Sequence, residues 1–101
     1  MNKMRRKELV NLIKTIEKVQ DKDDIYEVTS TLENIRDDEE EYYDNIPENL
    51  QSSQRAYDSE AAIDNMNDAL DLLEEAYEAE NDEGIHDTMI KVIGKINAAR
   101  Y

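Results

Sequence analysis

The chain has one histidine, His86, and it is the first residue whose type and spacing suggest chemistry. Together with Glu83 it forms a Glu-x-x-His motif, which supplies metal ligands in di-iron helical bundles. A complete site of that kind needs the motif on two helices and two further glutamates. This chain holds one copy, and a second would have to come from a symmetric dimer. We therefore expect His86 to be a surface or boundary residue, and we predict neither a metal nor a cofactor.

Clusters of carboxylates could bind calcium or carry out acid–base catalysis. The run Asp37–Glu41 and the loops around Asp21–Asp24 and Asn81–Glu83 are rich in oxygen ligands, but neither loop has the calcium pattern with a central glycine and a final bidentate glutamate. Glycoside hydrolysis would need a cleft that desolvates one of two acids, and the sequence does not predict a cleft. Because cysteine, a phosphate-binding loop and a Ser/His/Asp arrangement are also missing, we predict that the protein is not an enzyme.

The sequence has one basic cluster, formed by Lys3, Arg5, Arg6 and Lys7, and such clusters can contact the phosphates of nucleic acids. The net charge of −14 opposes that function, because it repels nucleic acid over long distances. No aromatic residue stands beside the cluster to stack on bases. We therefore predict no direct binding to nucleic acid.

Charge is distributed unevenly along the chain. Residues 1–20 carry six basic and two acidic side chains, residues 21–83 carry three and 23, and residues 84–101 carry three and one. Basic ends and an acidic middle are expected if the terminal segments pack against the central one, within the same chain or in a partner copy. A second interpretation is that the acidic middle mimics the phosphates of DNA and occupies the nucleic-acid groove of another protein.

The elements that position these residues follow from composition. The chain has 101 residues, two glycines, one proline and no cysteine. Scarce turn signals favour helices over sheets, and this length suits one domain, which we assign to residues 1–101. No window is apolar enough for a membrane span or a signal peptide, so we expect a cytoplasmic protein without membrane contacts.

Apolar residues recur at spacings of three and four, which is the period of amphipathic helices. We predict an all-α protein of four helices, at about 2–19, 24–44, 47–80 and 85–99, in which a long central hairpin is flanked by shorter N- and C-terminal helices. Asp23 or Asp24 can cap the second helix, and Gly84 can adopt the positive φ angle of a helix end. In the third helix the predicted core stripe is Ile63, Met66, Leu70, Leu73 and Tyr77, with Ala62, Ala69 and Ala76 at its edge.

The turn of the hairpin carries several large side chains. Pro47 disfavours helical geometry at Ile46, and Asn45 can adopt a left-handed cap conformation. Tyrosine supplies a large contact area with little loss of conformational entropy, so an exposed cluster here would suit a protein partner, whereas a buried one would be plain core. Five residues form this predicted cluster, which is our candidate partner surface: Tyr42, Tyr43, Ile46, Leu50 and Tyr57.

Glu39 interrupts the apolar stripe of the second helix. A buried carboxylate without a partner is costly, because it loses its hydration and gains nothing in return. We therefore expect Glu39 to lie near an arginine such as Arg36 or Arg55, or at a wet end of the helix.

The stretch Glu40–Ser52, followed by an alanine-rich acidic helix, resembles short, uncharacterised helical proteins of Gram-positive bacteria and their prophages. The resemblance covers about residues 33–79 and leaves residues 81–101 outside. It implies a bacterial or phage cytoplasmic setting, and it brings no activity and no site residues with it.

Long apolar stripes without catalytic residues favour a non-enzymatic helical protein–protein interaction module, which we predict to be a small regulatory or accessory protein of a phage or mobile element. The alternative is an acidic nucleic-acid mimic that inhibits a nucleic-acid-binding host protein. We also predict a homodimer, because a third helix of about 33 residues would extend beyond neighbours of about 15–21 residues and leave apolar surface uncovered. A monomer whose third helix bends after Tyr57 is the competing arrangement.

Overall fold

The computed structural model describes residues 1–79 and 84–100, and most of them lie in four α-helices. Helix α1 spans Lys3–Ile16, α2 spans Lys22–Asp44, α3 spans Gln54–Glu78 and α4 spans Ile85–Ala99, with a 3-10 helix at Glu48–Leu50 between α2 and α3. No strand occurs among the described residues, so the predictions of an all-α protein and of a four-helix arrangement are confirmed. None of the described helices is long and apolar enough to cross a bilayer.

Polar side chains define where the first two helices begin. The side chain of Asp21 accepts a hydrogen bond of 3.1 Å from the backbone N–H of Asp24, and Asn2 caps α1 in the same way. Such bonds satisfy backbone donors that have no partner inside the helix. The predicted cap at Asp23 or Asp24 is wrong, because α2 already includes both residues. Gly84 precedes α4 with a φ of 85°, in agreement with the positive φ that its position predicted.

Helix α3 begins at Gln54 and not near residue 47 as predicted. Pro47 has an extended backbone, with φ −54° and ψ 144°, so it does not open a long helix. The chain passes through the 3-10 helix until the Ser53 hydroxyl accepts a hydrogen bond of 3.3 Å from the backbone N–H of Ala56. Serine is more favourable at such caps than inside helices, because its hydroxyl forms hydrogen bonds with nearby backbone groups that compete with the helical ones. As a result α3 has 25 residues and α2 has 23, so the two arms of the hairpin are nearly equal.

The four helices form a closed ring. Helix α3 contacts α2 and α4, and α1 contacts the same two helices. The basic terminal helices therefore lie against the acidic central ones within one chain, which is one of the two arrangements that the charge pattern predicted. The large side chains that fill the core between them are Leu9, Ile16, Ile25, Leu32, Ile35, Met66, Leu73 and Ile96.

The core face of α3 is shifted toward the alanine edge of the predicted stripe, although Met66 and Leu73 are buried as predicted. Tyr77 was placed in the core stripe, but it is 45% exposed, and Leu70 is only half-buried. Because α3 packs against both α2 and α4, small side chains on its inner face let the neighbouring backbones approach closely. The residues that α3 buries are Ala56, Ser59, Ala62, Met66, Ala69, Leu73 and Ala76.

The two outer helices are too short to cover the hairpin. Helices α1 and α4 have 14 and 15 residues, which at ~1.5 Å per residue gives about 21 and 22 Å, against about 35 and 37 Å for α2 and α3. The ammonium of Lys22 donates to the carbonyl of Ala79 at one end of the bundle, and Arg5, in the first turn of α1, contacts Glu39. Because the first turn of α1 lies at the level of Glu39, residues 40–58 extend past the start of α1. We call this segment the hairpin end.

Candidate functional site

Glu39 on α2 is fully buried although it carries a carboxylate. Nε of Arg5 on α1 donates a hydrogen bond of 3.0 Å to its Oε1, and the hydroxyl of Ser59 on α3 donates one of 2.5 Å to its Oε2. The α-amino group of Met1 lies 3.9 Å from Oε2. These contacts join three helices at the base of the hairpin end, and they offset the cost of removing the carboxylate from water.

Glu39 has an arginine partner, as expected, but that partner is Arg5 and not the Arg36 or Arg55 that the sequence suggested. Arg36 instead donates a hydrogen bond of 3.1 Å from Nη1 to Oδ1 of Asn67, and Arg55 is exposed. The partner comes from α1, because the first turn of that helix packs at the level of Glu39. Spacing along one helix does not reveal a partner on another.

Met1 is buried beside this carboxylate. Burial lowers the pKa of its α-amino group below the ordinary value of 8.0, the carboxylate of Glu39 raises it, and the charges of Arg5 and Arg6 lower it. The net change is downward because loss of hydration, the largest cause, disfavours the charged amine. Arg5, whose Nε lies 3.0 Å from Oε1, is the closer of the two cations beside Glu39.

Two of the five predicted partner-surface residues support the turn. Ile46 is 7% exposed, so its side chain is interior. Tyr42 is half-buried, and the guanidinium carbon of Arg5 lies 5.3 Å from the centroid of its ring, which is a cation–π arrangement. The amide of Gln51 donates a hydrogen bond of 2.8 Å to the carbonyl of Ile46, which holds the loop against its start.

The other three predicted residues remain accessible, and we call them the hairpin-end surface: Tyr43, Leu50 and Tyr57. Leu50 and Tyr57 are 43% and 56% exposed. Tyr43 is half-buried and borders a small cavity of about 280 Å³ together with Ile63. The three side chains therefore offer apolar and aromatic contacts at the end of the hairpin that α1 does not reach.

A second surface lies between α2 and α3, nearer the start of α2. It is a groove of about 490 Å³, which we call the α2/α3 groove, and the residues that line it include Tyr26, Glu33, Leu70, Glu74, Tyr77 and Glu78. The ring centroids of Tyr26 and Tyr77 are 6.4 Å apart, and the ring planes are inclined by 46°. Tyr26 is 65% exposed and Tyr77 45%, so this aromatic pair is open to a ligand.

Hydrogen bonds between α2 and α3 close the groove at both ends. At one end the guanidinium of Arg36 on α2 donates to Asn67 on α3. At the other end the ammonium of Lys22 on α2 donates to the carbonyl of Ala79, just after α3. The tyrosine pair lies between these two crossing points, so the groove is formed in the folded protein before any ligand arrives.

The walls of the α2/α3 groove are acidic. Arg36 is a cation in the lining, but Nη2 of its guanidinium lies 3.0 Å from Oδ1 of Asp37, so a neighbouring carboxylate already compensates its charge. The carboxylates of the lining are exposed: Glu33, Asp71, Glu74 and Glu78. A cation would therefore meet both aromatic rings and negative charge here.

The candidates for metal chemistry find no support in the part of the chain that the structure describes. His86 is exposed there, as predicted, whereas Glu83 and the stretch Asn81–Glu83 lie outside the described residues. Within residues 1–79 and 84–100, no group of three or more metal-ligating side chains could hold an ion. Of the basic cluster, Lys3 and Lys7 are exposed on α1.

Sequence reasoning did not identify the aromatic pair. The sequence pattern placed Tyr77 in the core, and it assigned no role to Tyr26. Their proximity could have been predicted, because the start of α2 and the end of α3 must meet in an antiparallel hairpin with arms of similar length.

No protein-family model, curated protein or solved structure matches the chain significantly. The two surfaces are therefore interpreted from their own residues.

Proposed function

We propose that this protein is a helical protein–protein interaction module without chemistry of its own, and that the hairpin-end surface binds its partner. The observation that supports this best is the exposure of Leu50 and Tyr57, 43% and 56%, at the uncovered end of the hairpin. Large apolar side chains exposed within one short segment are typical of protein interfaces.

The support beneath this surface also suits binding. The hydrogen bonds that Arg5 and Ser59 donate to Glu39 fix α1, α2 and α3 directly below the hairpin end. A rigid surface loses little conformational entropy when it binds, and tyrosine is frequent among the residues that dominate binding energy. We therefore expect the removal of the Tyr57 side chain to weaken binding of the partner most.

We further propose that the module is a small regulatory or accessory protein of a phage or mobile element that acts in the cytoplasm. The support for this setting is the resemblance of the segment Glu40–Ser52 to helical proteins of Gram-positive bacteria and their prophages. The hairpin end contains that whole segment.

Affinity capture with a matched control tests the proposed surface. The immobilised protein, the variant Leu50→Ser/Tyr57→Ser and the control Met4→Ser/Ala61→Ser are exposed to lysate of a Gram-positive bacterium, and the bound proteins are quantified by mass spectrometry. Met4 is 69% exposed and Ala61 is exposed on α3, so the control removes apolar surface outside the hairpin end.

The expected result is a partner that the wild type and the control retain and that the hairpin-end variant loses. Circular dichroism must show that both variants remain helical. A set of bound proteins that is the same for all three would contradict the proposed surface.

An acidic nucleic-acid mimic is the second candidate function, and one observation favours it. Most carboxylates of α2 and α3 are exposed, and the ion pairs of these two helices take up Asp37, Glu39, Glu40 and Asp68. A long helical pair with solvated negative charge presents the kind of field that phosphates present to a DNA-binding groove.

Competition separates the two functions. A partner of a mimic would be displaced by duplex DNA and by moderate salt, because screening weakens exposed charge contacts. A partner of the hairpin-end surface would resist both treatments. Retention of the partner in excess DNA would rule out the mimic for that partner.

We also propose a homodimer, although the argument from the length of the third helix does not hold. Helix α3 has 25 residues instead of about 33, so its length does not require a second copy. The exposed Ile90 on α4 is apolar surface that a second copy could cover, with α1 and α4 near the two-fold axis. Light scattering over a dilution series at micromolar concentration tests this, and a monomer mass throughout would contradict it.

A further inference from the structure

The α2/α3 groove combines features that the proposed hairpin-end function does not use. The pair Tyr26 and Tyr77 lies at the end of the groove nearer Lys22, and Leu70 lines the groove about 10 Å further along α3, at ~1.5 Å per residue. Aromatic faces attract cations within about 6 Å of the ring centroid, and arginine is the cation most often found there. With 6.4 Å between the two centroids, one guanidinium can lie within that range of both rings.

The carboxylates of the groove stand at both sides of the aromatic pair. Glu74 and Glu78 flank Tyr77 along α3, and Glu33 lies on α2 about 10 Å further along the helix axis from Tyr26, at ~1.5 Å per residue. Two acidic positions separated by this distance match two cations about seven residues apart on a helix, and an apolar residue between them can pack on Leu70, which lies across the groove from Glu33.

We infer that the α2/α3 groove docks a basic segment of a partner protein, in which two arginine or lysine residues bracket an apolar residue. Charge complementarity identifies this occupant. An acidic groove repels nucleic acid, which is negative. In a second copy of the chain, Arg5 of the basic cluster already donates to its own Glu39, and the proposed dimer contact uses α1 and α4, so the groove stays open to another protein. The inference rests on the proposed interaction function, but it concerns a different surface from the hairpin end.

Fluorescence anisotropy with a defined probe tests this inference. The probe is a labelled, alanine-based helical peptide with two arginines about seven residues apart and leucine between them on the same face. A second peptide carries glutamine in place of both arginines. Binding of each peptide to the full chain is measured at low salt and at about 150 mM salt, where exposed charges are screened over about 8 Å.

Four variants locate the bound peptide. Tyr26→Leu/Tyr77→Leu removes the aromatic faces and keeps apolar bulk, and Glu74→Gln/Glu78→Gln removes two charges inside the groove. Asp38→Asn/Glu41→Gln removes two exposed charges outside its lining and is the matched control for bulk charge. Leu50→Ser/Tyr57→Ser tests the hairpin end in the same assay. All the substituted side chains are exposed, so folded variants are expected, and circular dichroism checks this.

The expected result is that the arginine peptide binds and the glutamine peptide does not, and that each groove variant weakens binding about tenfold while the control changes it less than about twofold. Equal weakening by the two charge variants would overturn the inference in favour of bulk attraction. Loss of binding in the hairpin-end variant alone would overturn it and leave the proposed function intact. Absence of peptide binding, or a dimer that Tyr26→Leu/Tyr77→Leu converts to a monomer, would also overturn it.

Discussion

Arg5 in the first turn of α1 donates a hydrogen bond of 3.0 Å from Nε to Oε1 of the fully buried Glu39 on α2. The same guanidinium lies over the ring of Tyr42, with 5.3 Å between its carbon and the ring centroid. One side chain of α1 thus compensates the buried charge of α2 and packs on the aromatic residue at the base of the hairpin end.

Replacing Arg5 should therefore destabilise the fold more than replacing another arginine. In Arg5→Met the buried carboxylate loses a charged donor, which should lower the free energy of unfolding by about 2 to 3 kcal/mol. Arg55→Met is the matched control, because Arg55 is exposed, and it should change stability by less than about 0.5 kcal/mol. Urea unfolding followed by circular dichroism measures both, and equal effects would show that the Arg5 contact contributes little.

Stability should rise with pH as the Met1 amine loses its proton. Burial lowers the pKa of this amine below 8.0, so between the lowered value and 8.0 the unfolded chain binds more protons than the folded chain. The free energy of unfolding then increases with pH across that window and levels off above it. Urea midpoints at constant ionic strength give the slope. The Nα-acetylated protein is the control, and a slope that persists after acetylation would assign the effect to other groups.

The two glycines should respond in opposite directions to alanine. Gly94 lies inside α4 with open space around the position of an added Cβ, so Gly94→Ala should stabilise the protein by about 1 kcal/mol through helix propensity. Gly84 has a φ of 85°, so Gly84→Ala should destabilise it by about 1 kcal/mol or more. Thermal unfolding measures both variants. Stabilisation by Gly84→Ala would be incompatible with the left-handed backbone at that residue.

The inner face of α3 can be tested with two alanines. Ala69 is fully buried and Ala61 is exposed on the same helix. Ala69→Leu should overpack the contact with the neighbouring helices and lower the free energy of unfolding by about 1 to 3 kcal/mol. Ala61→Leu adds the same atoms to the surface and should change stability by less than about 0.5 kcal/mol. If Ala69→Leu were neutral, the alanine face would not be the buried one.

Much of the architecture follows from local signals in the sequence. The apolar spacing of three and four predicted all four helices, and the ends of α2 and α4 lie where it placed them, at Asp44 and Ala99. The positive φ of Gly84 was also predictable, because a residue without Cβ adopts it at little cost. The start of α3 was not predictable, because both Pro47 and Ser53 suit the beginning of a helix and the apolar spacing continues across both residues.

The contacts that define the candidate surfaces required the packed bundle. The residue that neutralises Glu39 is Arg5 and not the arginine on its own helix, and Tyr77 meets Tyr26 instead of the core. A helical pattern states which residues share a face, but α3 packs against two neighbours and its face can rotate toward either. Alanines on the inner face of α3 let the neighbouring helices approach closely, which leaves Tyr77 on the outside. Which face of α3 is buried therefore depends on the packing of all the helices and not on the sequence of one helix.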